Sequence, residues 1–368
     1  YDADMPEYSL ALDMYGDWAH VAEYQAPRTI DPNDAAKRLD EALVAVAQVL
    51  EIPQSRVVVK RRERQRGAKQ YERKERREEF MEVSEGPARL LVNLHDFLDT
   101  GLFVDHRKVR ESLAETAKGG RFLNLFCYTA SATIHAALGG AQFTTSVDSS
   151  ATYLAWARRN IALNGLSESR NRLVRADVRE WLADGQDSYD LIFLDPPTFS
   201  NSKGADNFDL ERDHGALVCA AMERLSPNGT LVFSTNKRDF KLDPGLGDRF
   251  SVTDKTQWSI DEDFRNGRRP HQCWFLTLPV AKVRVKPPAA HIPEDDSAKG
   301  GPGDTDSSVV DAHVVDSPVA DSPVADSPWG GSSYNGPPTI GSPYKNSLYK
   351  GSPDQDSRDN DLPSVDVA

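Results

Sequence analysis

Leu191-Ile192-Phe193-Leu194 runs directly into Asp195-Pro196-Pro197-Thr198-Phe199, so an apolar strand ends in a carboxylate and a double-proline turn. Open α/β sheets bind their ligands at such carboxyl ends of strands. Each proline fixes its own φ and lacks a backbone donor, so the turn holds its carbonyls and the Thr198 and Phe199 side chains in one pose. A stiff ledge of this kind suits presenting a flat base to a reactive centre. Taken alone, Asp-Pro-Pro is also ordinary punctuation after a strand, and the upstream residues decide between the two readings.

Walking back from Asp195, further strand ends carry polar residues. Arg121-Phe122-Leu123-Asn124-Leu125-Phe126 reads as a buried strand that breaks into the small-residue turn Cys127 to Ala132 and an Ala-rich helix. Ala141 to Val147 ends in Asp148-Ser149, followed by a helix from Ala151 to Ala162 and then Asn164-Gly165. Asn171 to Ala176 ends in Asp177 ahead of a helix around Trp181. The alternation predicts a parallel sheet with right-handed crossovers.

An acid at the end of the second strand, about 20 residues past the first turn, is where dinucleotide-type folds hydrogen-bond a ribose diol. Here that acid is Asp148, and one strand further on Asp177 is placed to accept from an adenine amino group. The first turn would pack against a methionine-like portion of the ligand. It lacks Gly-x-Gly-x-x-Gly, so no backbone cradle for a pyrophosphate is expected, and S-adenosylmethionine fits better than a nicotinamide or flavin dinucleotide. The competing structural reading is a plain flavodoxin-like core with surface aspartates after its strands.

Thr100-Gly101-Leu102-Phe103-Val104-Asp105-His106-Arg107, Asn124 to Thr129, Val147-Asp148, Asp195 to Lys203 and His271-Gln272-Cys273-Trp274 together resemble the C-terminal half of the bifunctional bacterial 23S rRNA guanine methyltransferase. The similarity runs from about Tyr1 to Pro279. It implies a class I S-adenosylmethionine-dependent methyltransferase with a Rossmann-like α/β sheet, making N7-methylguanosine, while a separate N-terminal half makes N2-methylguanosine. It also implies a cofactor pocket lined by Asp105, Arg107, Asn124, Phe126, Tyr128, Thr129, Asp148, Ser149, Asp177 and Asp195. Two positions depart from the pattern: Ala130 stands where a glycine is expected, which bears on the local φ, and Gln272 where asparagine is usual.

Length suits two domains and a tail. No run approaches the roughly 18 apolar residues of a membrane span, and nothing resembles a signal peptide, so a cytoplasmic enzyme is expected. Cys127, Cys219 and Cys273 are the only cysteines, scattered without disulfide or metal-ligand spacing, and read as reduced thiols with no metal site. The first residue is Tyr1 rather than Met, which reads as a piece of a longer protein and fits fusion to a guanine-N2 methyltransferase half.

A net charge of −13 runs against an RNA partner until its distribution is considered. Residues 280–368 hold 14 acidic and 7 basic residues, whereas Arg56 to Glu79 holds 11 basic and 5 acidic. Lys60, Arg61, Arg62, Arg64 and Arg66 form the expected footprint for phosphates of 23S rRNA or a large-subunit precursor. The interleaved Glu63, Glu72, Glu75, Glu78 and Glu79 also fit a merely solvated surface. Gly67, flanked by Val57-Val58-Val59 and Phe80-Met81-Glu82-Val83, predicts a long mobile hairpin or loop.

Ahead of it, Tyr8 to Met14 and Ala19 to Tyr24 alternate around Tyr15-Gly16-Asp17, a hairpin signature. A helix is predicted from Pro32 to about Leu50 with Asp31 as N-cap. Residues 1–100 therefore read as a small α+β domain that grips RNA, and 101–279 as the catalytic domain. After Pro279, the repeat Asp316-Ser-Pro-Val-Ala, Asp321-Ser-Pro-Val-Ala, Asp326-Ser-Pro sits in an acidic Pro/Ser/Asp-rich stretch that cannot bury enough apolar surface to fold, so 280–368 is expected to be a disordered tail.

Guanine N7 carries an in-plane lone pair and no proton, so transfer to it needs positioning rather than a general base. In an A-form helix N7 faces a deep, narrow groove, so the target must be unpaired or flipped out. Asp195, Pro196, Pro197 and Phe199 are the expected catalytic ledge, with Phe199 either stacking near the base or packing in the core. Asp195 fits two roles, accepting from guanine N1 or its amino group, or holding the cofactor. A rival enzyme reading is rRNA cytosine-C5 methylation, which needs a thiolate beside the strand-end loops; the Asp195 loop and Phe233-Ser234-Thr235-Asn236 have none, leaving Cys127 and Cys273 as candidates. A third reading, a non-catalytic ribosome-assembly module, gives Asp148, Asp177 and Asp195 no work to do.

Overall fold

Tyr15 pairs across to Trp18, which leaves Gly16-Asp17 as a two-residue turn joining β1 (Leu10–Tyr15) to β2 (Trp18–Tyr24), with Gly16 at φ +57°. Such tight hairpin turns demand a positive φ that glycine adopts without strain. The computed structural model describes residues 8–24, 30–62, 77–200, 208–264 and 269–279. Arg64, Arg66 and the tail 280–368 lie outside these residues, as do the side chains of Arg62 and Phe199.

Helix α1 (Pro32–Val49) begins as expected, with Asp31 accepting from the Asn33 amide and Pro32 at the first position, where its missing N–H costs nothing. Strand β3 (Val57–Arg62) then lies parallel to β2, while β4 (Met81–Glu85) pairs only with β5 (Ala88–Val92) among the described residues. The runs flanking Gly67 are therefore not two arms of one hairpin: each satisfies its backbone in a different sheet. One apolar cluster joins Tyr15, Val58, Val83 and Leu90 to Leu102, Ile134 and Ile161. The elements before residue 100 thus share a core with the helices that follow it.

The second half carries α2 (Arg107–Thr116), β6 (Arg121–Leu125), α3 (Ser131–Leu138), β7 (Phe143–Asp148), α4 (Ala151–Leu163), β8 (Asn171–Arg175), α5 (Val178–Asp184) and β9 (Tyr189–Leu194). Short strands β10 (Phe199–Ser200) and β11 (Phe208–Asp209) pair with each other, and α6 (Leu210–Met222) and β12 (Leu225–Thr235) follow. The chain closes with α7 (Gly245–Arg249), β13 (Ser251–Asp254), α8 (Thr256–Ser259) and β14 (Gln272–Thr277).

The seven-stranded sheet runs β13-β14-β12-β9-β6-β7-β8. The five strands from β12 to β8 are parallel, as expected, but β14 runs antiparallel to both β12 and β13, so the sheet is mixed. Alternation divides the core cleanly. Leu123, Leu125, Ile192, Leu194 and Phe233 face α5 and α6, whereas Phe122, Leu191, Phe193 and Val232 face α2 and α3. Covering both faces is what makes these strands read as continuous apolar runs. Strand order reverses between β6 and β9, which opens the crevice where such sheets hold ligands. Among the described residues no helix is long and apolar enough to cross a membrane.

Candidate active site

The loop leaving β6 is a chain of alternating left-handed residues. Phe126, Tyr128 and Ala130 have φ of 58°, 52° and 62°. Each left-handed L-residue costs roughly 1–2 kcal/mol, so the turn persists only because its surroundings dictate it. Cys127 N donates to the Val147 carbonyl, Ala130 N to the Cys127 carbonyl, and Tyr128 N to Asp148 Oδ2 at 3.0 Å. Thr129 Oγ1 donates to the Gly101 carbonyl at 2.6 Å, and Asn160 Nδ2 to the Thr129 carbonyl at 2.9 Å. Ala130, where glycine was expected, occupies the conformation glycine favours. Gly101 has no substitute, because a Cβ there would lie 2.1 Å from the Trp156 ring.

Not every turn residue faces a ligand. Asn124 is buried and donates to Thr133 Oγ1 at 2.9 Å, tying β6 to α3 behind the turn. Thr129 is fully buried and acts through its backbone partners. Tyr128 stacks edge-on against Tyr153, with ring centroids 4.5 Å apart, and among the described residues its buried hydroxyl has no hydrogen-bond partner.

Asp148 closes the other side of the crevice. Oδ2 accepts from Tyr128 N and Oδ1 from Ser150 N at 2.8 Å, and among the described residues no cation pairs with it. Burial outweighs these two bonds and pushes the carboxyl above the usual carboxylate range. A carboxylate has about four acceptor sites, so lone pairs remain for two neighbouring hydroxyls. Ser149 is exposed beside Asp148, its carbonyl accepting from Arg175 Nε at 3.3 Å. Asp177 caps α5, its side chain accepting from the Arg179 and Glu180 amides.

Asp105 and Arg107 are each engaged by other side chains. Asp105 Oδ2 accepts from His271 Nδ1 at 3.0 Å, and His106 Nδ1 lies 3.2 Å from the same oxygen. Burial alone would raise Asp105, but the two imidazoles hold it well below the usual carboxylate range. The rings stack 4.2 Å apart. His106 Nε2 meets Ser234 Oγ at 2.7 Å and lies 3.8 Å from Asp195 Oδ2, so the network reaches the double-proline ledge. Burial opposes the charge on both rings. The carboxylates on either side raise His106 regardless, whereas His271, facing charged His106, is lowered. Arg107 bridges Asp261 Oδ2 at 2.7 Å and Asp263 Oδ2 at 3.0 Å, pinning the segment after α8. His106 and His271 were quoted in motifs but given no role from sequence. Ser234 and Asp195, which meet His106, come from strand ends far along the chain, and His271 meets Asp105 from 166 positions away, which spacing does not reveal.

On the ledge, Pro196 is buried and Asp195 is 29% exposed. Thr198 Oγ1 donates to Asn236 Oδ1 at 3.2 Å, joining the ledge to the loop after β12. Beside it opens a cavity of about 630 Å³ lined by Asn236, Lys237, Arg238, Asp239, Arg269, His271 and Gln272. Both cysteines near the strand ends are buried, Cys127 at 5% exposure and Cys273 at 0%, and burial pushes both thiols well above their ordinary value.

The expected RNA footprint fares unevenly. Lys60 is turned inward, where its ammonium donates to the His95 carbonyl, so it leaves the solvent-facing set. Its stem packs at a position of β3 that alternation directs toward the core. Arg61 is exposed and pairs with Glu23 Oε2 at 2.9 Å.

The family model of S-adenosylmethionine-dependent methyltransferases matches residues 10–260. The chain belongs to this family. Its cofactor is S-adenosylmethionine. Over 279 residues the chain is 59% identical to ribosomal RNA large subunit methyltransferase K/L of Pseudomonas putida (strain GB-1), covering 76% of this chain and 38% of that protein. Against the protein of the same name from Pseudomonas syringae pv. tomato it is 58% identical over 278 residues, 75% of this chain and 37% of the other. The chain thus spans well under half the length of these relatives. The family met in sequence through the Asp195, Asp148 and Asp105 motifs is the one these comparisons return. The crystal structure of SMU.776 complexed with SAH shares the fold at a TM-score of 0.60 and 25% identity, covering 73% of this chain and 71% of that one. The S-adenosylmethionine-dependent methyltransferase from Agrobacterium tumefaciens, at 21% identity and a TM-score of 0.51, covers 73% of this chain and 86% of its own.

Proposed function

We propose that this chain methylates N7 of a guanosine in large-subunit ribosomal RNA, as one half of a protein that also carries a guanine-N2 methyltransferase domain. The observation that carries this reading is the 59% identity, over three quarters of the chain, to a relative named as a large-subunit ribosomal RNA methyltransferase K/L. The chain's 38% share of that relative leaves room for the second half.

In this reading Asp148 accepts from the ribose hydroxyls, and the Phe126 to Ala130 turn shapes the floor under the rest of S-adenosylmethionine. The bound cofactor supplies a methyl group on a sulfonium. Asp195, Pro196 and Pro197 then hold the base in line with it, with Phe199 as a stacking partner. His106 positions Asp195 from behind, its ring fixed between Asp105 and Asp195. N7 presents a lone pair, so the residues have no proton to remove and catalysis rests on alignment. Two buried, protonated thiols are poorly suited to the covalent addition that cytosine-C5 chemistry requires, since the thiolate is the nucleophile.

Mass spectrometry of nucleosides from unmodified large-subunit RNA, incubated with the protein and labelled cofactor, tests this directly. Label in 7-methylguanosine is the expected result. Label in a 5-methylpyrimidine, or no transfer by protein that binds the cofactor, would overturn it.

A further inference from the structure

The cavity beside the ledge is walled by the ends of two strands, Asn236 to Asp239 after β12 and Arg269 to Gln272 entering β14. Its volume of about 630 Å³ sits inside the roughly 300–1,000 Å³ range of small-ligand pockets. Lys237, Arg238 and Arg269 face it against the single carboxylate of Asp239. Lys237 is committed elsewhere, its ammonium 3.2 Å from Glu211 Oε2. Arg238 and Arg269 are exposed, and among the described residues neither has an ion-pair or hydrogen-bond partner. Two unpaired guanidiniums at the rim of one cavity leave a site for an anion, and the planar fork of arginine matches phosphate oxygens two at a time.

Continuity with the ledge says which anion. Thr198 joins the Asp195 turn to Asn236, Gln272 Nε2 donates to the Lys237 carbonyl at 3.2 Å and so ties the two walls together, and His271 belongs to both the cavity and the Asp105 network. A base held on the ledge therefore has its sugar-phosphate directed toward this space. Resting on the functional reading above, we infer that the cavity seats the target nucleotide of a single-stranded RNA segment, with Arg238 and Arg269 gripping the phosphodiesters on its rim. An extruded nucleotide brings its own phosphates to the rim with it.

The test uses the chain as it stands and a fluorescein-labelled single-stranded RNA oligonucleotide containing one guanosine, with binding followed by anisotropy across a salt series. The Arg238→Gln/Arg269→Gln double variant is compared with Arg172→Gln, likewise an exposed arginine, on edge strand β8. The double variant should bind about tenfold more weakly or worse, and its slope of log affinity against log salt should fall by about 0.7 for each lost phosphate contact. Arg238→Lys/Arg269→Lys should recover the slope. Affinity for S-adenosylhomocysteine by calorimetry should match the parent's, which shows that the fold is intact. A double variant indistinguishable from Arg172→Gln in affinity and slope would overturn the assignment. Anisotropy does not depend on which atom is methylated. A parent that methylates elsewhere would sink the N7 reading while the slope still judged the cavity.

Discussion

Asp148 accepts one backbone N–H on each oxygen and, among the described residues, keeps a part-buried charge with no cation to balance it. Ligand hydroxyls relieve that cost, so binding and ionisation are coupled. A folded-state value raised above the ordinary one means the free protein holds its proton more readily, and binding then has to expel it as pH falls. Affinity for S-adenosylhomocysteine should therefore decline as pH is lowered from about 7 toward the carboxylate range. Asp148→Asn should weaken that affinity by roughly 1.5–3 kcal/mol, the usual worth of a hydrogen bond to a charged group, and should flatten the decline. Calorimetry at several pH values reads both, and unchanged affinity in a variant with a normal melting curve would remove Asp148 from the pocket. Its place at the carboxyl end of the second sheet strand was legible in sequence. The engagement of Asp105 was not legible, because its partner His271 lies 166 positions away and pattern reading sees only local spacing.

Local signals served well for elements whose partners are close. The Gly16 turn and the Asp31 cap appear where composition put them, since each rests on one residue's own backbone or side-chain chemistry. Pairing between distant strands is another matter. Val57 to Arg62 found a parallel partner in β2 rather than the later run beyond Gly67, and nothing in its residues distinguishes the two. What fastens β4 to α2 and α3 is also nonlocal. Glu85 takes Arg110 Nε at 2.6 Å and Nη2 at 2.7 Å, with His135 Nε2 3.0 Å away, so one buried carboxylate joins β4, α2 and α3. Burial would raise Glu85, but the His135 and Arg110 side chains outweigh it and hold it at about 2. Because the folded value lies below the unfolded one, the stabilisation is full above about pH 4.5 and is lost as pH falls toward 2, amounting to about 3 kcal/mol. Glu85→Gln strands the Arg110 charge and should cost about 3–5 kcal/mol at neutral pH, read as a lower denaturation midpoint. A loss below about 1 kcal/mol would show that the triad is not what holds the strand.

At the scale of the whole molecule, charge and chemistry separate. The excess of acid over base says nothing about the crevice, where arginines from the ends of β12 and β14 meet beside the ledge. The antiparallel β14 brings His271 and Gln272 to the same edge as Asp195, an arrangement the alternation of strands and helices did not disclose because β14, unlike its parallel neighbours, begins at that edge. No thiol near the strand ends is poised to ionise, since burial raises both Cys127 and Cys273. Transfer to N7 asks for none, whereas an exocyclic amine needs a base and a pyrimidine carbon needs a thiolate. Single-turnover methylation of the ribosomal substrate should then lack the rising limb of a general base between about pH 6 and 8.5. Replacing Cys127, Cys219 and Cys273 together by serine should leave a measurable rate in protein that still binds S-adenosylhomocysteine. RNA carrying 7-deazaguanosine at the target position puts a carbon where the lone pair should be, so it should bind with the parent affinity and accept no methyl group there. Methylation of that analogue at the target, or abolition of transfer by loss of one thiol from a folded enzyme, would defeat the N7 assignment.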